Sequence, residues 1–149
     1  MKKLLLILSL FSASVYTEPN AGSNTEEFIV SKVEQIGTSA SQVQNLFNDA
    51  NDTWISAFQC LNQVKSPKGK NQAAKLKHAL EFVYYPRLKD ALSAFDAIAL
   101  QINSLHEKSE AQILLAVAVI EGELESLKKK LENIRQEVKA VLVQAQAVR

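Results

Sequence analysis

The feature that most constrains this chain is a seam near its C-terminus. Ile113, Val117, Ile120, Leu124, Leu127, Leu131, Ile134, Val138, Val141, Ala145 and Val148 follow one another at alternating spacings of four and three without an error, the pattern of a coiled-coil helix. At 1.5 Å of rise per residue such a helix runs on the order of 55 Å. A rod of that length cannot be the centre of a small globule; it needs long neighbours. Gly122 lies within it and costs about 1 kcal/mol relative to alanine, too little to stop a helix held along its length.

The neighbours are legible upstream. Val43, Leu46, Phe47, Ala50, Trp54, Ala57, Phe58, Leu61 and Val64 fall on one helical face, the signature of an amphipathic helix packed on a core. A leading piece carries Phe28, Ile29, Val33 and Ile36. The capping-box spacings Ser23 with Glu26 and Asn24 with Glu27 would start it, Gly37 would stop it, and Ser39 with Gln42 would restart the helix. KSPKGKN, Lys65 to Asn71, reads as the clearest loop because of Pro67 and Gly69. A further helical stretch runs from Ala73 to Leu105, with a kink or short break expected near Tyr84 and Tyr85, where Pro86 removes a backbone donor. Ser109 with Gln112 opens the last helix after the turn His106 to Lys108.

The stretches 24–64, 72–106 and 109–147 are similar in length and joined by short connections. They predict an all-α fold, an antiparallel up-down bundle of three long helices with breaks near Gly37 and Pro86, giving four to five helical segments. Within that bundle AQILLAVAVI, Ala111 to Ile120, is apolar at nearly every position. If the chain turns back at Gly37, the piece 25–36 becomes a fourth helix, and Phe28, Ile29, Val33 and Ile36 cap the side of this run that would otherwise be exposed.

The N-terminus reads MKKLLLILSLFSAS: two lysines, an apolar run far shorter than the roughly 20 residues that span a bilayer, then small residues. Residues 1–16 are therefore expected to be a cleaved secretory signal, 17–24 a polar leader and 25–149 a single domain in a secreted, extracellular protein without stable membrane anchoring. Of 17 basic and 16 acidic residues, the signal removes Lys2 and Lys3. The mature chain is then nearly neutral, which disfavours nucleic acid. About 130 residues remain, enough for one modest core. Cys60 is alone, so no intramolecular disulfide forms. It is either a buried small hydrophobe, favoured by its place beside an apolar face, or an intermolecular disulfide joining a homodimer. Asn51-Asp52-Thr53 is a glycosylation sequon.

No catalytic constellation stands out. His78 has Glu81 and His106 has Glu110 one turn on, but neither has a second histidine or cysteine at ligand spacing; there is no glycine-rich phosphate loop and no G-x-S-x-G. The reading is a non-enzyme with no cofactor and no metal. Two surfaces are candidates for a partner. Lys65, Lys68, Lys70, Lys75 and Lys77 cluster around the expected loop and would attract an acidic protein or another polyanion. EFVYYPR offers Tyr84, Tyr85 and Arg87, residue types that dominate protein interfaces, although at a proline kink they also serve as core wedges.

The signal MKKLLLILSLFSAS, the mature length and helices such as SEAQILLAVAVIEGELESLKKKLENIRQEV together resemble the small helical secreted salivary proteins of blood-feeding mosquitoes, the group containing anophensin and albicin. The resemblance is one of type and covers the whole mature chain without a diagnostic motif, so it carries over no site residue. It implies an inhibitor of host defence in blood that blocks complement or the contact and kallikrein pathway by occluding a protein surface. The rivals are an amphipathic lipid carrier of apolipophorin type, against which the strict seam speaks, and a bacterial secreted or periplasmic coiled-coil adaptor.

Overall fold

The structure, a computed structural model, describes residues 24–149. The expected signal 1–16, the leader up to residue 23 and the capping residue Ser23 lie outside the described residues. Those described are helical almost throughout, with no strand among them. In chain order they form α1 (Asn24–Asn62), α2 (Pro67–Ala79), a π-helical turn (Leu80–Tyr84), α3 (Tyr85–Asn103), a 3-10 turn (Ser104–Glu107) and α4 (Glu110–Val148).

Two expectations about breaks are corrected. The chain does not stop at Gly37 or restart at Ser39; α1 runs unbroken through both. A glycine inside a helix costs only about 1 kcal/mol. Here its neighbours Ile36 and Ala40 are fully buried and hold the helix in place. Indeed Ile29, Ile36, Val43, Ala50, Ala57 and Val64 are all buried at intervals of seven, so one continuous heptad seam crosses the glycine. The loop expected over KSPKGKN is shorter and lies earlier: between α1 and α2 the chain is non-helical only at 63–66, and from Pro67 onward it is helix. Ser66 accepts a hydrogen bond from the Gly69 N–H as the N-cap, and Pro67 opens α2. Proline in the first turn has no useful N–H to lose, so the same residue that breaks a helix interior starts this one. At Pro86 the helical path is widened rather than broken, as described below.

The expected start of α4 is present in full: the Gln112 N–H bonds Ser109 Oγ while Gln112 Oε1 accepts from the Ser109 N–H, a reciprocal capping box. Along α4, every seam residue from Val117 to Ala145 is buried.

The described residues group into two compact units. In the first, residues 24–42 and 95–126, the core comprises Ile29, Ile36 and Ala40 of α1, Phe95, Ile98 and Ile102 of α3, Leu105, and Val117, Ile120 and Leu124 of α4. Lys32 pairs with Glu121 at 3.6 Å, and the Gln101 amide donates to Glu123 at 3.0 Å. The fourth-helix cap over Ala111 to Ile120 is not formed. An unbroken α1 cannot fold back over that run, so Val117 and Ile120 are buried while Leu115 and Val119 stay 73% and 56% exposed and Phe28 is exposed as well.

In the second unit, residues 43–94 and 127–149, α1 contributes Ala50, Ala57 and Leu61, α2 contributes Ala73 and Leu76, and α4 contributes Leu131, Val138 and Ala145. Leu80 in the π turn is completely buried among them. No buried polar or charged residue interrupts either core among the described residues.

Candidate functional site

The site is built where the second unit accommodates Pro86. Proline cannot donate to the carbonyl four residues back. The Tyr85 N–H instead reaches Leu80 O, five residues back, and Leu80–Tyr84 becomes a π turn. Single π turns inside α-helices recur at functional sites because the extra residue forces side chains outward. Here Phe82, Val83 and Tyr85 emerge 64%, 47% and 48% exposed, while Tyr84 is half-buried.

This protruding knuckle is braced from α1. The Trp54 indole N–H donates to Leu80 O at 2.8 Å, so that one carbonyl, which has two lone pairs, serves both the π turn and the indole. Trp54 stacks on Phe58, one turn along α1, with centroids 5.2 Å apart and planes within 9°, and meets the Tyr85 ring at 5.7 Å and 42°. Offset and tilted ring pairs of this kind add to what area burial alone supplies. His78 lies 4.6 Å from the Phe82 ring. The Arg87 guanidinium stands 5.7 Å from the Tyr84 ring and is tied to Glu137 of α4 by an ion pair; Lys89 is 5.7 Å from the Tyr85 ring. The surface therefore presents exposed aromatic and aliphatic groups on a rigid base, edged by cations. It can bind by burying apolar area, as interface hot spots do.

Next to Arg87 a shallow groove of about 320 Å³ opens between α3 and α4, with Ala91, Leu127 and Ile134 on its floor and Arg87, Asp90 and Lys130 on its rim. Ala94 lines it as well.

Tyr84, Tyr85 and Arg87 lie on and just after the π turn together with Phe82 and Val83 of the same stretch EFVYYPR; the residues that brace them, Trp54, Phe58, His78 and Lys89, lie outside that stretch and its reading. One signal existed: a part-buried tryptophan normally finds an acceptor for its N–H, but nothing in the sequence named Leu80 O, which here accepts from both the indole and the Tyr85 N–H. The lysine cluster does not form one patch. With α2 helical from Pro67, residues seven apart share a flank, so Lys68 lies with Lys75 and Lys70 with Lys77, the two pairs about half a turn apart around the helix. Lys65 precedes α2; all are exposed except Lys77, which is half-buried.

Cys60 is free and buried on α1. Asn51 is half-buried in the middle of the same helix, and the Thr53 hydroxyl of its sequon donates to Asp49 O at 2.7 Å. His106 Nδ1 contacts Asn103 O, and its other nitrogen lies 3.7 Å from Glu107. Among the described residues no three His, Cys, Asp or Glu side chains gather as a metal site, and no helix is long and apolar enough to cross a membrane. Set against protein-family models, curated proteins and solved structures, the chain matches none.

Proposed function

We propose that this is a secreted, non-enzymatic binding protein that occludes a macromolecular surface, a salivary-type inhibitor of complement or of contact and kallikrein activation in blood. Its scaffold is an antiparallel up-down arrangement of the three long helical stretches, and its contact surface is the knuckle at residues 80–87. One observation carries this reading: Phe82, Val83 and Tyr85 are exposed on a π turn whose carbonyl is pinned by Trp54. Exposed aromatics on a backbone that cannot collapse lose little conformational entropy on binding, which is how a small surface reaches useful affinity.

The partner is a protein, not a nucleic acid or a bilayer. The test adds purified chain to complement-mediated lysis and to plasma kallikrein generation. The native chain suppresses one of them, and the double variant Phe82→Ala with Tyr85→Ala loses at least tenfold in potency while keeping its helical spectrum. A chain that inhibits neither, or a double variant as potent as the native chain, refutes the reading. Clearance of phospholipid vesicles with a gain of helix would establish the lipid-carrier reading in its place.

A further inference from the structure

The near-neutral total charge conceals an uneven distribution. Residues 43–94 and 127–149, which form the second unit, hold thirteen basic and six acidic side chains, whereas residues 24–42 and 95–126 hold two and nine. Within the second unit the surplus is concentrated further. Segments 59–80 and 138–149 carry seven cations, the five lysines from Lys65 to Lys77 with Lys139 and Arg149, and no acidic side chain. The fold joins these two segments. The Val148 carbonyl approaches Gly69 so closely that a Cβ there would stand 3.0 Å from it, which sets the end of α4, with Arg149, against the first turn of α2, with Lys68 and Lys70. By themselves the five lysines occupy two flanks of α2; the arrival of α4 makes them parts of one acid-free end of the unit.

These cations are also unsatisfied. Lys77 is half-buried and the other six are exposed. The ion pairs among the described residues use Lys32, Arg87, His106 and Arg135, and none of the seven. Solubility does not require such segregation, because interspersed charges of both signs serve it as well, and a surplus of one sign repels itself in the folded chain.

We propose that this end of the second unit binds a linear sulfated polysaccharide. The composition of the surface selects among polyanions. Six of the seven cations are lysines, compact charges on flexible stems that meet a sulfate without a fixed geometry. A protein partner needs a large apolar anchor to bury, and lysine is depleted in such interfaces; here Val143 is the sole large exposed hydrophobic group. A single-stranded nucleic acid gains from aromatic side chains on which its bases stack, and the two segments contain no Phe, Tyr or Trp. A polymer that carries its charge on outlying sulfates needs neither anchor nor stack.

Fluorescence anisotropy of a labelled heparin dodecasaccharide, titrated with the full chain, tests this. The chain binds at about 50 mM salt, and Kd rises at least about tenfold by about 200 mM, as release of counterions from several contacts requires. The same saccharide stripped of sulfate is not bound. The triple variant Lys65→Ala, Lys68→Ala and Lys70→Ala weakens binding at least tenfold and keeps its melting temperature. The triple variant Lys128→Ala, Lys129→Ala and Lys130→Ala removes equal charge from a stretch that also carries Glu125 and Glu132, and stays within about twofold of the native chain. Phe82→Ala with Tyr85→Ala binds like the native chain, so the outcome is independent of the aromatic knuckle. Absence of binding at about 50 mM salt overturns the proposal. Equal losses from the two triple variants do so as well, since total charge rather than its place would then be the cause. So does an oligothymidylate, a polyglutamate or the desulfated saccharide bound as tightly as the dodecasaccharide.

Discussion

Gly69→Ala and Gly122→Ala make the same chemical change inside a helix and should act in opposite directions. At Gly69 a Cβ would lie 2.6 Å from Ser66 Oγ, 2.8 Å from Val64 Cγ1 and 3.0 Å from the Val148 carbonyl oxygen. The side chains can shift; the Val148 backbone, held at the end of α4, has less freedom. Displacing Ser66 also removes its bond to the Gly69 N–H, and losing an N-cap costs about 1 kcal/mol. Forcing a methyl into a packed site costs about 1–3 kcal/mol, while the better helix propensity of alanine returns about 1 kcal/mol. The net expectation is a loss of about 1–3 kcal/mol. At Gly122, where nothing lies within 4 Å, only the propensity term remains and the variant gains up to about 1 kcal/mol. Urea denaturation followed by circular dichroism measures both, and for a chain of this size each kcal/mol moves the melting temperature by about 3–5 °C. Ser66→Ala in the Gly69→Ala background should recover part of the loss by relieving the shortest contact. If Gly69→Ala is as stabilising as Gly122→Ala, the close approach between the start of α2 and the end of α4 is not what selects glycine there.

Trp54→Phe keeps the stacked ring but removes the indole donor to Leu80 O; it should cost about 1 kcal/mol and speed amide exchange at Tyr85, readable by hydrogen exchange. Ile120→Ala should cost about 2–5 kcal/mol as a fully buried core truncation, whereas Leu115→Ala, three-quarters exposed on the same helix, should change monomer stability by under about 0.5 kcal/mol; paired urea curves at low protein concentration decide it. Cys60 should react with a thiol reagent only as the chain unfolds, and non-reducing gels should show no Cys60-linked dimer, because its side chain is buried on α1.

The helices and their buried faces were readable because hydrophobic spacing reports the side of a helix that is covered. The seam from Val117 to Ala145 needs no knowledge of what it packs against. Helix ends were less legible, since a residue's effect there depends on its position. Pro67 looks like a breaker because proline disrupts helix interiors, yet Ser66 before it makes the pair a start. Gly37 looks like a stop because glycine often ends helices, yet Ile36 and Ala40 are buried on either side of it. The knuckle was half visible: EFVYYPR advertised Tyr84, Tyr85 and Arg87, but the partner that rigidifies them, Trp54, is distant in sequence, and no local pattern links the two.

The coverage of the run Ala111 to Ile120 depends on the same point of the chain. Its apolar character all round implies full coverage only if enough helix surrounds it, and the sole candidate for that extra cover depended on a turn at Gly37. With α1 unbroken, the positions at three- and four-residue spacing, Val117 and Ile120, enter the core, and the opposite face with Leu115 and Val119 is left over. Exposing two large aliphatic groups forgoes about 1.5–3 kcal/mol apiece relative to full burial, a sizeable fraction of the 5–15 kcal/mol by which domains are stable. Polar residues on that face would keep the fold just as well, so folding does not explain the leucine and valine there.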